Sequence, residues 1–183
     1  MHQIHYSYYI SDCNNYRHNW GKSVLILRHA KSSWKHPDVS DNDRPLNKRG
    51  KRDAPRMGEL LQDKHLVPDF IVSSTAKRAH STAKAVAKAA GYKGDITLNQ
   101  SLYAAPPRAY IDALRDLSNR YVRVLMVGHN PGVEQLVLVL TGEEHTMPTC
   151  SLVHVQLHIN SWTEIDYKTK GKLIEIWNPS DQI

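Results

Sequence analysis

Three short apolar runs separated by amphipathic stretches constrain this chain's fold more than any other feature. The runs are Ser23 to Leu27, Phe70 to Ser73 and Val122 to Val127. Each is too short for a helix and lacks the strict polar alternation of a half-exposed strand, so each reads as a strand buried on both faces. The first run stops at Arg28-His29. Neighbours inside a strand point to opposite faces, so this pair serves one site only from the strand's exit, where the backbone turns. An imidazole beside a fixed positive charge, followed by the hydroxyls of Ser32 and Ser33, suits an anion. The obvious anion is phosphate.

Helical patterns fill the intervals. Asn47 is placed to cap a helix with an inward face of Gly50, Ala54, Met57 and Leu61. Pro55 is awkward there, so the regular helix is expected only from about Asp53. Ser74 or Thr75 then caps an Ala-rich helix with Ala79, Ala83, Val86 and Ala90 on one face and Gly91 as its stop. A weaker strand is expected at Asp95 to Leu98 and a helix at Tyr110 to Asn119. Pro131 suits the first position of a helix carrying Val133, Leu136, Val137 and Leu140, which Gly142 stops. Ser151 to Ile159 and Gly171 to Trp177 read as two strands that pair with each other or extend the sheet antiparallel. The expectation is a single α/β domain with a mainly parallel central sheet and helices on both faces.

Such sheets bind ligands outside the carboxyl ends of their strands. His29 follows the first strand, Arg78 lies in the first helical turn after the second, and His129 follows the third. Any one of these alone reads as a chance dipeptide, a surface helix residue or a turn histidine. Their joint placement on one rim is the informative fact.

Composition narrows the alternatives. The length of 183 residues fits one domain with a proper core. No run approaches the roughly 20 apolar residues of a membrane span. Met1 to Lys22 lacks the apolar run of a secretory signal, so residues 1–21 are expected to form an extension outside the fold. Cys13 and Cys150 make no disulfide framework, and a reducing cytoplasm is the default. A net charge of +6 invites nucleic acid, anionic membrane or phosphate as partners. Much of that charge lies in Lys48 to Arg52 and Arg56, a run that usually marks a solvated helix face. No nucleic-acid-binding signature accompanies it.

A neutral imidazole can attack phosphorus, forming a phosphohistidine that water hydrolyses. Catalysis of phosphoryl transfer is mostly positioning and charge stabilisation. Arg28 and Arg78 offer forks matched to phosphate oxygens, the helix beginning near Ala76 adds its dipole, and His129 offers a further hydrogen bond. No metal or other cofactor is then required. Cysteine chemistry does not fit, because the places six residues after Cys13 and Cys150 hold Asn19 and Gln156 rather than Arg. Asp41-Asn42-Asp43 has the letters of an aspartyl phosphatase but reads as a loop. His154 and His158 can share a strand face, but no further ligands at zinc spacing accompany them.

Leu27-Arg28-His29-Ala30-Lys31-Ser32, Ser73-Ser74-Thr75-Ala76-Lys77-Arg78-Ala79 with Thr82-Ala83, and Gly128-His129-Asn130-Pro131-Gly132 resemble the histidine phosphatase superfamily. Asp43-Arg44-Pro45-Leu46 with Gly50 is similar to its small phosphohistidine phosphatase (SixA-like) branch. The likeness runs from about Lys22 to the end. It implies a phosphoglycerate mutase-like domain over residues 22–183, with His29 as nucleophile and Arg28, Arg78 and His129 as the catalytic phosphate pocket. Ser32 stands where the family often places a hydroxyl near phosphate, and Asn130 adjoins the second histidine. Ala30 replaces the usual Gly.

Many ester-cleaving members use an acidic residue just before the position of Leu102-Tyr103, where this chain has Asn99, Gln100 and Ser101. A missing acid favours a phosphoramidate whose leaving nitrogen is already protonated. Asp43 is the candidate substitute donor. The expected activity is therefore removal of phosphate from a phosphohistidine-bearing protein by a metal-independent, monomeric enzyme. The alternatives are a broad or small-molecule phosphomonoesterase, and a module that binds phosphorylated partners without turnover.

Overall fold

The computed structural model of the protein describes residues 21–35 and 38–182. Six strands form one sheet: β1 (Ser23–Arg28), β2 (Phe70–Ser74), β3 (Ile96–Asn99), β4 (Arg123–Gly128), β5 (Leu152–Leu157) and β6 (Gly171–Trp177). Their order across the sheet is β3-β2-β4-β1-β5-β6. The first four in that order are parallel, while β5 runs antiparallel to β1 and β6 antiparallel to β5. The fold is a single α/β domain of the expected class. Residues 1–20 of the expected N-terminal extension, with Cys13, and His36 lie outside the described residues, while Gly21 accepts a hydrogen bond from Gln156 at 2.7 Å.

Alternation along the buried strands divides the core in two. Leu25, Leu27, Ile71, Leu125 and Val127 point to one face and pack against α1 (Lys48–Asp63) and α2 (Lys77–Ala89). Val24, Ile26, Val72, Val124 and Met126 point to the other, under α3 (Pro107–Arg115) and α4 (Gly132–Thr141). The chain leaves β1 toward one face and β4 toward the other. Because β1 and β4 are neighbours, a crevice opens between their carboxyl ends, as at the switch point of an open α/β sheet.

Local differences from the sequence expectations have physical reasons. α1 begins at Lys48 rather than Asp53, because the Asn47 side chain accepts from the Gly50 N–H at 2.9 Å and secures the first turn. Pro55 lies inside the helix and forfeits only the bond that its N–H would give to the Lys51 carbonyl. α2 has Ala76 at its N-cap with no side-chain cap, since the hydroxyls of Ser74 and Thr75 are engaged elsewhere. α3 starts at Pro107, whose fixed φ suits a first turn, and stops before Asn119. Pro131 is the N-cap residue of α4, one place earlier than expected.

Gly50 holds α1 against the loop that leaves β1. A Cβ there would run into the Lys31 backbone, its nitrogen at 3.0 Å and carbonyl carbon at 3.1 Å, neither of which yields as a side-chain tip would. Gly50→Ala is therefore expected to destabilise the protein by about 1–3 kcal/mol, overriding the helix propensity gained. Urea unfolding checks this, and a variant as stable as the parent would show the contact to be loose.

Candidate active site

Strand register brings the predicted residues together. Arg28 pairs with Gly128 across the parallel β1–β4 ladder, and Ser73 pairs with Val127 across β2–β4. The next residues out, His29 and His129, are therefore level at the rim, with Ser74 one strand over. Their ring centroids are 5.0 Å apart, tilted by 55°. The His29 N–H bonds the Gly128 carbonyl at 2.9 Å and continues the ladder one step past the strand.

His29 Nδ1 lies 2.8 Å from the Ala30 carbonyl, a group that only accepts. Nδ1 therefore carries the proton and Nε2 keeps its lone pair. The Ala30 N–H in turn donates to Thr82 Oγ1 at 2.9 Å, and that hydroxyl donates to the Arg78 carbonyl at 2.6 Å. One threonine thus ties the loop after β1 to the first turn of α2. His129 Nε2 shares a 2.8 Å hydrogen bond with Ser74 Oγ, while its buried Nδ1 has no partner among the described residues.

Arg28 donates from Nη1 to the Met147 carbonyl at 2.7 Å, and its buried Nε is unpartnered among the described residues. Asn130 donates to the same carbonyl at 3.2 Å. The Met147 N–H is held by Glu134 at 2.7 Å. Arg78 points both its terminal nitrogens at Asp41, reaching the backbone carbonyl and, at 2.8 Å, Oδ2.

Ser32 and Asp43 do not join the cluster so directly. Ser32 is buried, and its hydroxyl accepts from Arg44 at 2.7 Å. Asp43 is exposed and accepts from Ser40 within its own turn at 2.6 Å. The acid of this loop that meets the cluster is Asp41, in a single 3₁₀ turn (Asp41–Asp43). It also receives hydrogen bonds from Tyr103 at 2.7 Å and Arg44 at 2.9 Å. Tyr103 stands edge-on to His129 with centroids 5.7 Å apart. The sequence does not mark Asp41, Tyr103, Ser74 or Met147 as site residues: Asp41 reads as loop and Ser74 as a helix cap. Only Ser74 left a signal, as a hydroxyl at a strand end. Asp41 and Tyr103 lie far along the chain from their partners, and Met147 contributes only backbone.

Residues 24–103 match the family model of the histidine phosphatase superfamily (branch 1). The chain belongs to the histidine phosphatase superfamily. An uncharacterized chloroplastic protein of Arabidopsis thaliana is 31% identical over 152 residues, covering 78% of this chain and 70% of that protein. The crystal structure of the putative phosphohistidine phosphatase SixA from Agrobacterium tumefaciens aligns with TM-score 0.75 and 29% identity over 87% of this chain and 99% of that one. The protein histidine phosphatase SixA complexed with tungstate shares the fold, with TM-score 0.74 and 21% identity over 87% and 98% of the two chains.

Burial first, and the neighbouring positive charges second, keep both imidazoles neutral. Burial pushes His29 down to about 3, opposed by its bond to Ala30 and aided by the nearby His129, Arg78 and Arg28. Burial and then Arg78 bring His129 down to about 4, with Asp41 opposing. Asp41 is held well below the usual carboxylate range, chiefly by the Tyr103 hydroxyl and then by Arg44 and Arg78. The same bond raises Tyr103. Among the described residues no three His, Cys, Asp or Glu side chains gather to hold a metal ion. His154 instead bonds Ser23 at 2.7 Å at the far end of β1.

These shifts have a sign. Folded values below the free value of 6.5 mean that the unfolded chain binds more protons as pH falls. The stability tied to both rings is thus complete above about pH 6.5 and is lost progressively toward pH 3 to 4. An NMR titration should show both rings uncharged at pH 6. Inorganic phosphate should raise the His129 midpoint, because a bound anion favours the imidazolium. Ordinary titration of both rings near 6.5, unmoved by phosphate, would contradict the buried cluster.

Proposed function

We propose that the protein is a phosphohistidine phosphatase that removes phosphate from a phosphorylated protein through a covalent intermediate on His29. The observation that carries this reading is the His29 tautomer: Nδ1–H is committed to Ala30, which leaves Nε2 unprotonated beside Arg28, Arg78 and His129. Nε2 attacks phosphorus as the bond to the leaving group breaks, giving phospho-His29. Water then attacks the same phosphorus, the P–Nε2 bond breaks, and inorganic phosphate leaves. Arg28 and Arg78 stabilise the equatorial oxygens, His129 donates to one of them once the anion raises its affinity for a proton, and the N-terminus of α2 adds its dipole. Asn130 orients Arg28 through the carbonyl they share, and Ser32 acts through Arg44.

The preference for P–N over P–O bonds rests on the acid. Asp41, paired with Arg78 and hydrogen-bonded by Tyr103, is held ionised and is a poor proton donor to an alkoxide. Asp43 faces its own turn. A phosphohistidine protonated on its second ring nitrogen leaves as neutral imidazole and needs no such donor. Two guanidiniums and a second histidine supply the charge that a metal would otherwise bring, so activity is expected to survive excess chelator.

Rapid quench with a phosphohistidine-bearing peptide should trap phosphate on His29 and none in His29→Ala. Arg78→Ala should lower kcat/KM by about 10²–10³-fold while the fold survives. Equal or better turnover of simple phosphate esters would favour the phosphomonoesterase reading. Binding of the phosphopeptide with no trapped intermediate would favour a non-catalytic module.

A further inference from the structure

The basic run at the start of α1 is not merely a solvated face. It forms one wall of a groove of about 430 Å³ whose other wall is the loop after β1. Ser33 and Lys35 come from the loop, Lys48, Arg49 and Lys51 from the helix, and Pro45 and Leu46 lie between them. The walls are tied together by backbone: Asn47 N–H to Lys31 carbonyl at 3.0 Å, Ser33 N–H to Pro45 carbonyl at 2.8 Å, and a bridge between Ser32 and Leu46. The groove is therefore formed before any ligand arrives.

Its charge is unbalanced. Arg49 and Arg52 are spoken for by buried Asp53 at 3.2 and 2.9 Å. Among the described residues, Lys35, Lys48 and Lys51 are exposed and make no ion pair, and no acidic side chain lines the groove. Trp34 adjoins it, 75% exposed, with the Arg44 guanidinium 3.2 Å from its ring centroid. Arg44 links groove to site, because it bonds the Ser33 carbonyl on one side and Asp41, the partner of Arg78, on the other.

We propose that this groove docks an acidic segment of the phosphorylated protein substrate; the proposal rests on reading His29 as the nucleophile of a protein phosphatase. Three unpaired lysines and an exposed indole suit carboxylates interspersed with apolar side chains. A nucleic acid fits less well. On the opposite sheet face, beside His129, a second pocket of about 440 Å³ is lined by Glu134, Glu144 and His145, a rim that repels a continuous polyanion. Such a two-signed rim orients a protein, whose charges vary along its chain.

Docking is tested without turnover. A fluorescein-labelled, unphosphorylated Asp-rich peptide should bind the wild-type protein about tenfold more tightly than a Lys-rich counterpart, and more weakly as salt rises. The triple variant Lys35→Glu, Lys48→Glu, Lys51→Glu should lose that margin. Equal affinity for both peptides, or a margin that survives in the triple variant, would overturn the proposal. So would oligothymidylate binding more tightly than the acidic peptide and being lost in the variant. With phosphohistidine placed in the acidic peptide, the variant should lose about tenfold in kcat/KM through KM while hydrolysing a small phosphoramidate as the wild type does. Wild-type protein that binds the acidic peptide but hydrolyses neither compound would refute the phosphatase reading and leave the docking surface standing.

Discussion

Everything at the site depends on the parallel ladder between β1 and β4. With Arg28 set against Gly128, the first residue past each strand is a histidine, and the two rings meet without any long loop to steer them. A shift of one residue would turn every side chain of β1 to the opposite face, exchanging Leu25 and Leu27 for Val24 and Ile26 in the packing against α1 and α2. The two apolar layers therefore enforce the register that the chemistry needs. Core packing and the geometry of the candidate site are one constraint.

That closeness creates an electrostatic difficulty. Two guanidiniums and two imidazoles crowd one rim, and burial, aided by the guanidiniums, keeps both imidazoles neutral. Arg78 keeps its charge, and it is balanced by Asp41, an acid with half its side chain in water. If Arg78 binds phosphate as proposed above, the anion competes with Asp41 for the same guanidinium, and Arg44 and Tyr103 hold that carboxylate to the cluster.

The strands and their faces were legible because burial on both sides leaves a continuous apolar signature, and β1, β2, β4 and β6 fall within a residue or so of their expected ends. His29 and His129 were legible because each follows a strand directly, and Arg78 because it opens the helix after one. Asp41 was not. Its letters sit in an exposed turn, and what singles it out is Arg78, 37 residues away. Ser74 was read as a helix cap on sound local grounds, but His129 competes for its hydroxyl. Helix starts erred where a proline's meaning depended on context. Pro55 is tolerated because the Asn47 cap had already secured the turns before it.

The rim is completed by the one central strand that runs the other way. Because β5 is antiparallel to β1, the chain enters it at the end where His29 and His129 meet, and the segment Met147 to Ser151 is delivered there rather than at the opposite edge. Cys150 N–H bonds the Arg28 and His29 carbonyls, each at 3.1 Å, and the Ser151 carbonyl accepts from the Arg28 N–H at 3.0 Å. Arg28 is thereby fixed through main chain at its root and through the Met147 carbonyl at its head. The groups that meet Arg28 here are backbone, held by the side chains of Glu134 and Asn130, so the identities of residues 147–151 leave no motif. The mainly parallel sheet brings the two histidines together, and a single reversal of strand direction supplies the backbone that aims the arginine.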